Sequence, residues 1–179
     1  MHTMKRFLAA ATVALFLTPV TAMAISLSEI KDNPSQYKQI SSRQNSEMYL
    51  DTSSITSLRY DPPYYSMNAK AYIVSYGTNS IDESTYIFNY DYNRSAISLM
   101  KNALKTSPSV TSDDLVKICM NEKGANSGVT FSKTDGKWWK LDGTFIENAD
   151  SKYNEKVVFK SGIYMLAYSI FEHYYNESF

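Results

Sequence analysis

Two runs of alternating residues, separated by one short polar segment, constrain this chain more than any other stretch. From Ser66 onward Met67, Ala69, Ala71 and Ile73 fall on one side of an extended chain, and Asn68, Lys70, Tyr72, Val74 and Tyr76 on the other. After Gly77-Thr78-Asn79-Ser80, Tyr86, Phe88, Tyr90 and Tyr92 share one side, with Ile87, Asn89 and Asp91 opposite. A period of two belongs to strands, and the intervening residues carry turn chemistry, so the segment reads as a long antiparallel hairpin. Eight of the 15 tyrosines lie between Tyr60 and Tyr92. Such a row stabilises a sheet by cross-strand ring contacts while keeping its hydroxyls at the edge of the core. The same density suits a binding face, because tyrosine is enriched at interfaces.

The flanking segments complete an α+β pattern. Ile25 to Ile30 reads as one or two helical turns capped by Ser26 or Ser28 and stopped at Asn33-Pro34. Short strands follow over about 37–41 and 47–51, and Asp61-Pro62-Pro63 breaks the chain before the hairpin. Ile97, Met100, Lys101 and Leu104 recur at helical spacing within 95–105. A second helix starts at Thr111 or Ser112, buries Leu115, Ile118 and Cys119, and gives way to a loop over 121–127. Asp113 and Asp114 sit in its first turn, where negative charge meets the helix dipole, and read as caps. Asp135-Gly136 and Asp142-Gly143 read as two hairpin turns flanking Trp138 and Trp139, which alternation sends to opposite faces, one into the core and one outward. The most regular element is the last: Ile163, Leu166, Ala167, Ile170, Phe171 and Tyr174 form one apolar stripe behind the cap Ser161, with Tyr164 and Tyr168 beside it.

The N-terminus carries an address. Lys5-Arg6, an apolar run from Phe7 to Val20, and Ala22-Met23-Ala24 make residues 1–24 a secretory signal peptide. The run falls short of the roughly 20 apolar residues that span a bilayer, and no transmembrane segment is expected after cleavage. Residues 25–179 then form a single globular domain, exported to the periplasm, the cell surface or the medium. Ile25, not cysteine, follows the cut, so a lipoprotein attachment signal is missing. With Lys5 and Arg6 gone, sixteen basic residues face eighteen acidic ones, which gives nucleic acid no electrostatic attraction.

Catalytic equipment is sparse. Cleavage leaves His173 as the sole histidine and Cys119 is the sole cysteine, so no intramolecular disulfide forms and His/Cys zinc sites are excluded by count. Cys119 reads as a buried small hydrophobe. Asn89-Tyr90-Asp91-Tyr92-Asn93 starts like a calcium loop, but Arg94 stands where glycine is required and Met100 where a bidentate glutamate is required. No glycine-rich phosphate cradle is present. No cofactor is expected.

Tyr49-Leu50-Asp51-Thr52-Ser53-Ser54-Ile55 and Tyr90-Asp91-Tyr92-Asn93-Arg94 together resemble the small exported bacterial domains similar to surface-adhesin protein E. In that family a Tyr-x-Asp-x-x-Ser-Ile segment ends an early strand and a Tyr-Asp-x-x-Arg segment ends a later one. The resemblance implies an antiparallel sheet with a helix against it, and attachment to extracellular proteins.

The expectation is therefore an α+β domain with a tyrosine-rich antiparallel sheet of five to six strands, packed by the C-terminal helix and one or two mid-chain helices. Its expected function is noncatalytic binding of a protein or an envelope glycan through exposed sheet aromatics: Tyr72, Tyr76, Tyr90 and Tyr92, with Trp138 or Trp139 beside them. Two alternatives stand: an envelope assembly component that meets another copy or a subunit through the same face, and a hydrolase working with two convergent carboxylates.

Overall fold

The computed structural model describes residues 24–149 and 154–179; the signal-peptide assignment falls on residues outside these, Ala24 apart. The chain runs α1 (Leu27–Asp32), β1 (Tyr37–Arg43), β2 (Ser46–Asp51), β3 (Thr56–Asp61), β4 (Tyr64–Ser75), β5 (Ser80–Asp91), α2 (Ala96–Thr106), α3 (Ser112–Ala125), β6 (Val129–Lys140), β7 (Phe145–Ala149), β8 (Asn154–Lys156) and α4 (Gly162–Tyr175). All pairings are antiparallel, so the α+β architecture read from the sequence is the one observed. The sheet has eight strands among the described residues instead of five to six, in the order β1-β2-β4-β5-β6-β7.

The two additional strands are short partners that share an edge with another strand. One edge of β4 is divided between β3, beside Tyr64–Asn68, and β2, beside Ala71–Ser75. The outer edge of β6 is divided likewise between β8, beside Thr130–Ser132, and β7, beside Gly136–Trp139. The central β4–β5 pair keeps one unbroken register from Tyr64↔Asp91 to Ser75↔Ser80, the hairpin expected from the alternation, with β5 starting at Ser80. Asp51 and Asp91, which end β2 and β5 in the two motif segments, each turn the chain the same way. Their side chains accept from the backbone N–H two residues on and cap a short 3-10 turn.

Three details depart from the sequence reading. Asp135-Gly136 is no turn: β6 runs through it, with Asp135 at φ 53° and two β6 residues opposing Ser84 alone, which is a β-bulge. Helix α3 continues to Ala125, across most of the segment expected as a loop. Strands β3 and β8 form where no element was read.

Both faces of the sheet are covered. On one, Leu166, Ala167, Ile170 and Phe171 of α4 pack against Met67, Ala69, Ala71, Phe88 and Tyr90. On the other, Ile25 and Ile30 of the α1 segment pack against Tyr49, Tyr72, Val74, Ile81 and Trp139. The polar-looking side of β4 is therefore interior where α1 lies on it. Helices α2 and α3 leave and re-enter the sheet at one end of the β5–β6 pair, burying little beyond Leu99, Cys119 and Lys123. Among the described residues no helix is long and apolar enough to cross a membrane.

Candidate functional site

The six aromatic residues expected on a shared exposed face are dispersed. Tyr72, 4 % exposed, lies under α1, and so does the buried Trp139. Tyr90, 2 % exposed, is in the α4 core and donates its hydroxyl to the Ala167 carbonyl at 2.9 Å. These three are structural because helices cover both sides of the hairpin, and alternation alone cannot tell a solvent face from a helix-covered one. Tyr76 is half-buried in a polar clasp: it donates to Glu47 at 2.5 Å and accepts from Lys31 Nζ at 2.9 Å. Glu47 also receives Tyr49 at 2.8 Å and pairs with Lys31 at 3.2 Å, which pins α1 to the sheet. Donation from Tyr76, supplemented by Tyr49 and Lys31, holds the Glu47 carboxyl below its usual range. Trp138 alone of the pair is exposed, so the tryptophans do take opposite faces.

Exposed tyrosine is instead gathered around edge strand β3. Tyr60 is 68 % exposed, Tyr64 47 % and Tyr174 48 %, and exposed Leu58 lies on β3 with Tyr60. Tyr174 was expected in the core stripe of α4, but it faces water, and its neighbour Tyr175 is the residue that turns to the sheet, against Tyr60 and Tyr65. Tyr60 meets Tyr65 edge-on at 5.6 Å and Tyr175 at 5.9 Å; Tyr65 and Tyr175 are 5.3 Å apart, and Tyr174 meets Tyr175 at 5.0 Å. Tyr92, half-buried, extends the cluster through Tyr65 at 5.8 Å. Ring contacts of this kind fix side chains that would otherwise lose rotamer freedom on binding. Burial, reinforced by Tyr60 and Glu177, raises the Tyr65 hydroxyl above the usual phenol range.

The opposite side of the same edge is concave. The Arg59 guanidinium lies over the Tyr64 ring at 5.7 Å, and a depression of about 380 Å³ beside them is lined by Asn89, Asp91, Asn126 and Lys156. Among the described residues strand β3 pairs only with β4, so no strand there covers its outer main chain. An ion pair between Arg59 and Asp61, at 2.5 Å, decorates that edge with charge, a common protection against uncontrolled strand addition. Mutually packed rings beside a strand edge make this the candidate site, with the Tyr175 hydroxyl tied to Ser57 and that of Tyr92 to Glu177. The signal for it in the sequence was Ser57-Leu58-Arg59-Tyr60-Asp61, a short alternation ended by Pro62-Pro63, overshadowed by the longer run that follows.

Comparison with protein-family models, with curated proteins and with solved structures finds no match to this chain.

Proposed function

We propose that this chain is an exported, noncatalytic binding domain that holds a protein partner outside the cytoplasm through the β3 edge. The observation that carries this reading is the placement of exposed Tyr60 and Tyr174 on one side, and exposed Tyr64 on the other, of a strand edge that pairs with no further strand among the described residues. Aromatic anchors concentrate binding energy, and an open edge offers main-chain hydrogen bonds to an extended segment. The resemblance to surface-adhesin protein E supports an adhesin-like role, and the N-terminal Lys5-Arg6, apolar run and Ala22-Met23-Ala24 support export.

The test is a triple variant, Tyr60→Ser, Tyr64→Ser and Tyr174→Ser, assayed for retention on immobilised extracellular-matrix protein and on cell-wall material. Retention on matrix protein is expected to fall by roughly a hundredfold, about 3 kcal/mol across three aromatic anchors, with the melting temperature little changed. Unchanged retention by a folded triple variant sinks the proposal, and loss on cell-wall material alone reassigns the surface to a glycan.

A further inference from the structure

On the other side of the sheet, the α1 segment roofs a cavity of about 410 Å³, within the range of small-molecule sites. Its floor carries Tyr37 and Tyr72, whose rings meet edge-on at 5.5 Å, and its wall carries buried Asp51. Half-buried Glu29 and Gln36 rim one end. The other end is Glu83, Lys70, Lys137 and Trp139.

The two ends differ in how their charges are used. Glu83 accepts on both oxygens, from Trp139 Nε1 at 2.8 Å and from Lys70 at 3.0 Å, so its charge is already engaged, while Lys137 forms no ion pair among the described residues. At Asp51 every donor converges on Oδ1: the Ser53 N–H at 3.1 Å, the Ser53 hydroxyl at 2.6 Å and Gln36 at 3.3 Å. Oδ2 takes no hydrogen bond among the described residues, and no buried side-chain oxygen there lacks a partner, so Oδ2 keeps access to solvent in a residue that lines the cavity. Glu29 forms no ion pair among the described residues.

We propose that the Tyr37 end of this cavity binds an organic ammonium ion, with the rings of Tyr37 and Tyr72 against its apolar surface and the carboxylates of Asp51 and Glu29 balancing its charge. Ring faces attract cations, and the attraction strengthens where water is excluded. After burial, the same three carboxylates, Asp51, Glu29 and Glu83, raise both the Tyr37 and Tyr72 hydroxyls above the usual phenol range, so both rings lie within their negative field. An anion is opposed by that field. A metal ion is disfavoured because no three acidic, histidine or cysteine side chains among the described residues come together, as a hard cation requires. An ammonium ion needs only one or two carboxylates and a ring wall.

Calorimetric titration of the full chain with choline, with putrescine and with the uncharged tert-butyl analogue of choline tests this. Choline or putrescine is expected to saturate in the millimolar range or below, and the uncharged analogue to bind at least about tenfold more weakly. Asp51→Asn keeps the capping acceptor on Oδ1 and should weaken the cation by roughly tenfold. Glu29→Gln, on the half-buried face of α1, should weaken it severalfold without touching the core. Lys137→Gln, at the far end, should leave affinity unchanged or raise it. The proposal is overturned by failure of both cations to saturate at tens of millimolar, by equal affinity for the uncharged analogue, or by unchanged cation affinity in Glu29→Gln. Binding at this site is separate from retention at the β3 edge, so either reading can fail alone.

Discussion

Lys123 has almost no contact with water, and its ammonium group is placed where few lysines are found. It lies 4.0 Å from the Phe179 ring centroid and 5.3 Å from that of Tyr164, and donates to the main-chain oxygens of Phe179 at 3.2 Å and Ser127 at 3.3 Å. Burial outweighs these contacts and lowers its pKa to about 8, with Arg94 adding a little in the same direction. For a base, a lowered folded-state value means that the charged form costs stability. The cost is complete below pH 8 and is relieved as pH rises toward the unfolded value of 10.5, because over that window the unfolded chain holds a proton that the folded one has released. Stability should therefore climb by about 2 kcal/mol between pH 8 and 10 through this group. Above the ordinary tyrosine value of 10.0 the sign reverses. Tyr49 and Tyr164, pushed up to about 12 mainly by burial, then keep protons that the unfolded chain loses. Urea titrations from pH 7 upward measure both limbs. Lys123→Met should remove the rise and keep the fall; a rise that survives this substitution would assign it to another group.

Strand β6 illustrates how an element can be misread from correct local chemistry. Asp-Gly between apolar runs is a hairpin signal because the pair tolerates a left-handed backbone, and Asp135 does take φ 53°. The same tolerance serves a bulge, and what decides between turn and bulge is a partner strand long enough to continue the pairing. Strand β5 is that partner: it pairs Thr85 with Thr134 before the bulge and Glu83 with Lys137 after it. Nothing local to residues 129–140 carries this information. Asp142-Gly143, where no partner continues, is a turn as expected, with Gly143 at φ +89°. The long hairpin, the helix starts with their serine and threonine caps, and the opposite faces of the two tryptophans were legible because each depends on neighbours in sequence. The location of the exposed tyrosines was not, because it depends on which face a distant helix covers. At Gly136 an added Cβ would overlap the Ala149 carbonyl oxygen of β7, since the bulge draws the two backbones together. Gly136→Ala should cost about 3 kcal/mol, as overpacking against rigid backbone does. Gly77→Ala, where an added Cβ meets nothing, should cost well under that, and thermal unfolding of the two variants side by side checks the contrast.

At the scale of the molecule, one sheet serves two cores. Along β4, Met67, Ala69 and Ala71 face α4, while Tyr72 and Val74 face the α1 segment. The same backbone ladder holds both sets, so loss of the strand pairing takes both cores with it. This ties the cavity beneath α1 to the tyrosine edge beyond α4, although the two share no side chain. It also predicts cooperative unfolding, despite the small size of the α1 core and its dependence on a six-residue helix. Tryptophan fluorescence reports the α1 side through Trp139, and far-UV circular dichroism is weighted toward the helices, α4 among them. The two urea transitions should coincide. Ile30, the fully buried residue of α1, gives the stronger form of the test: Ile30→Ala should lower stability by about 3 kcal/mol and move both transitions together. If only the fluorescence transition moved, α1 and its side of the sheet would be a separately melting layer, and the cavity it roofs would open without disturbing the β3 edge.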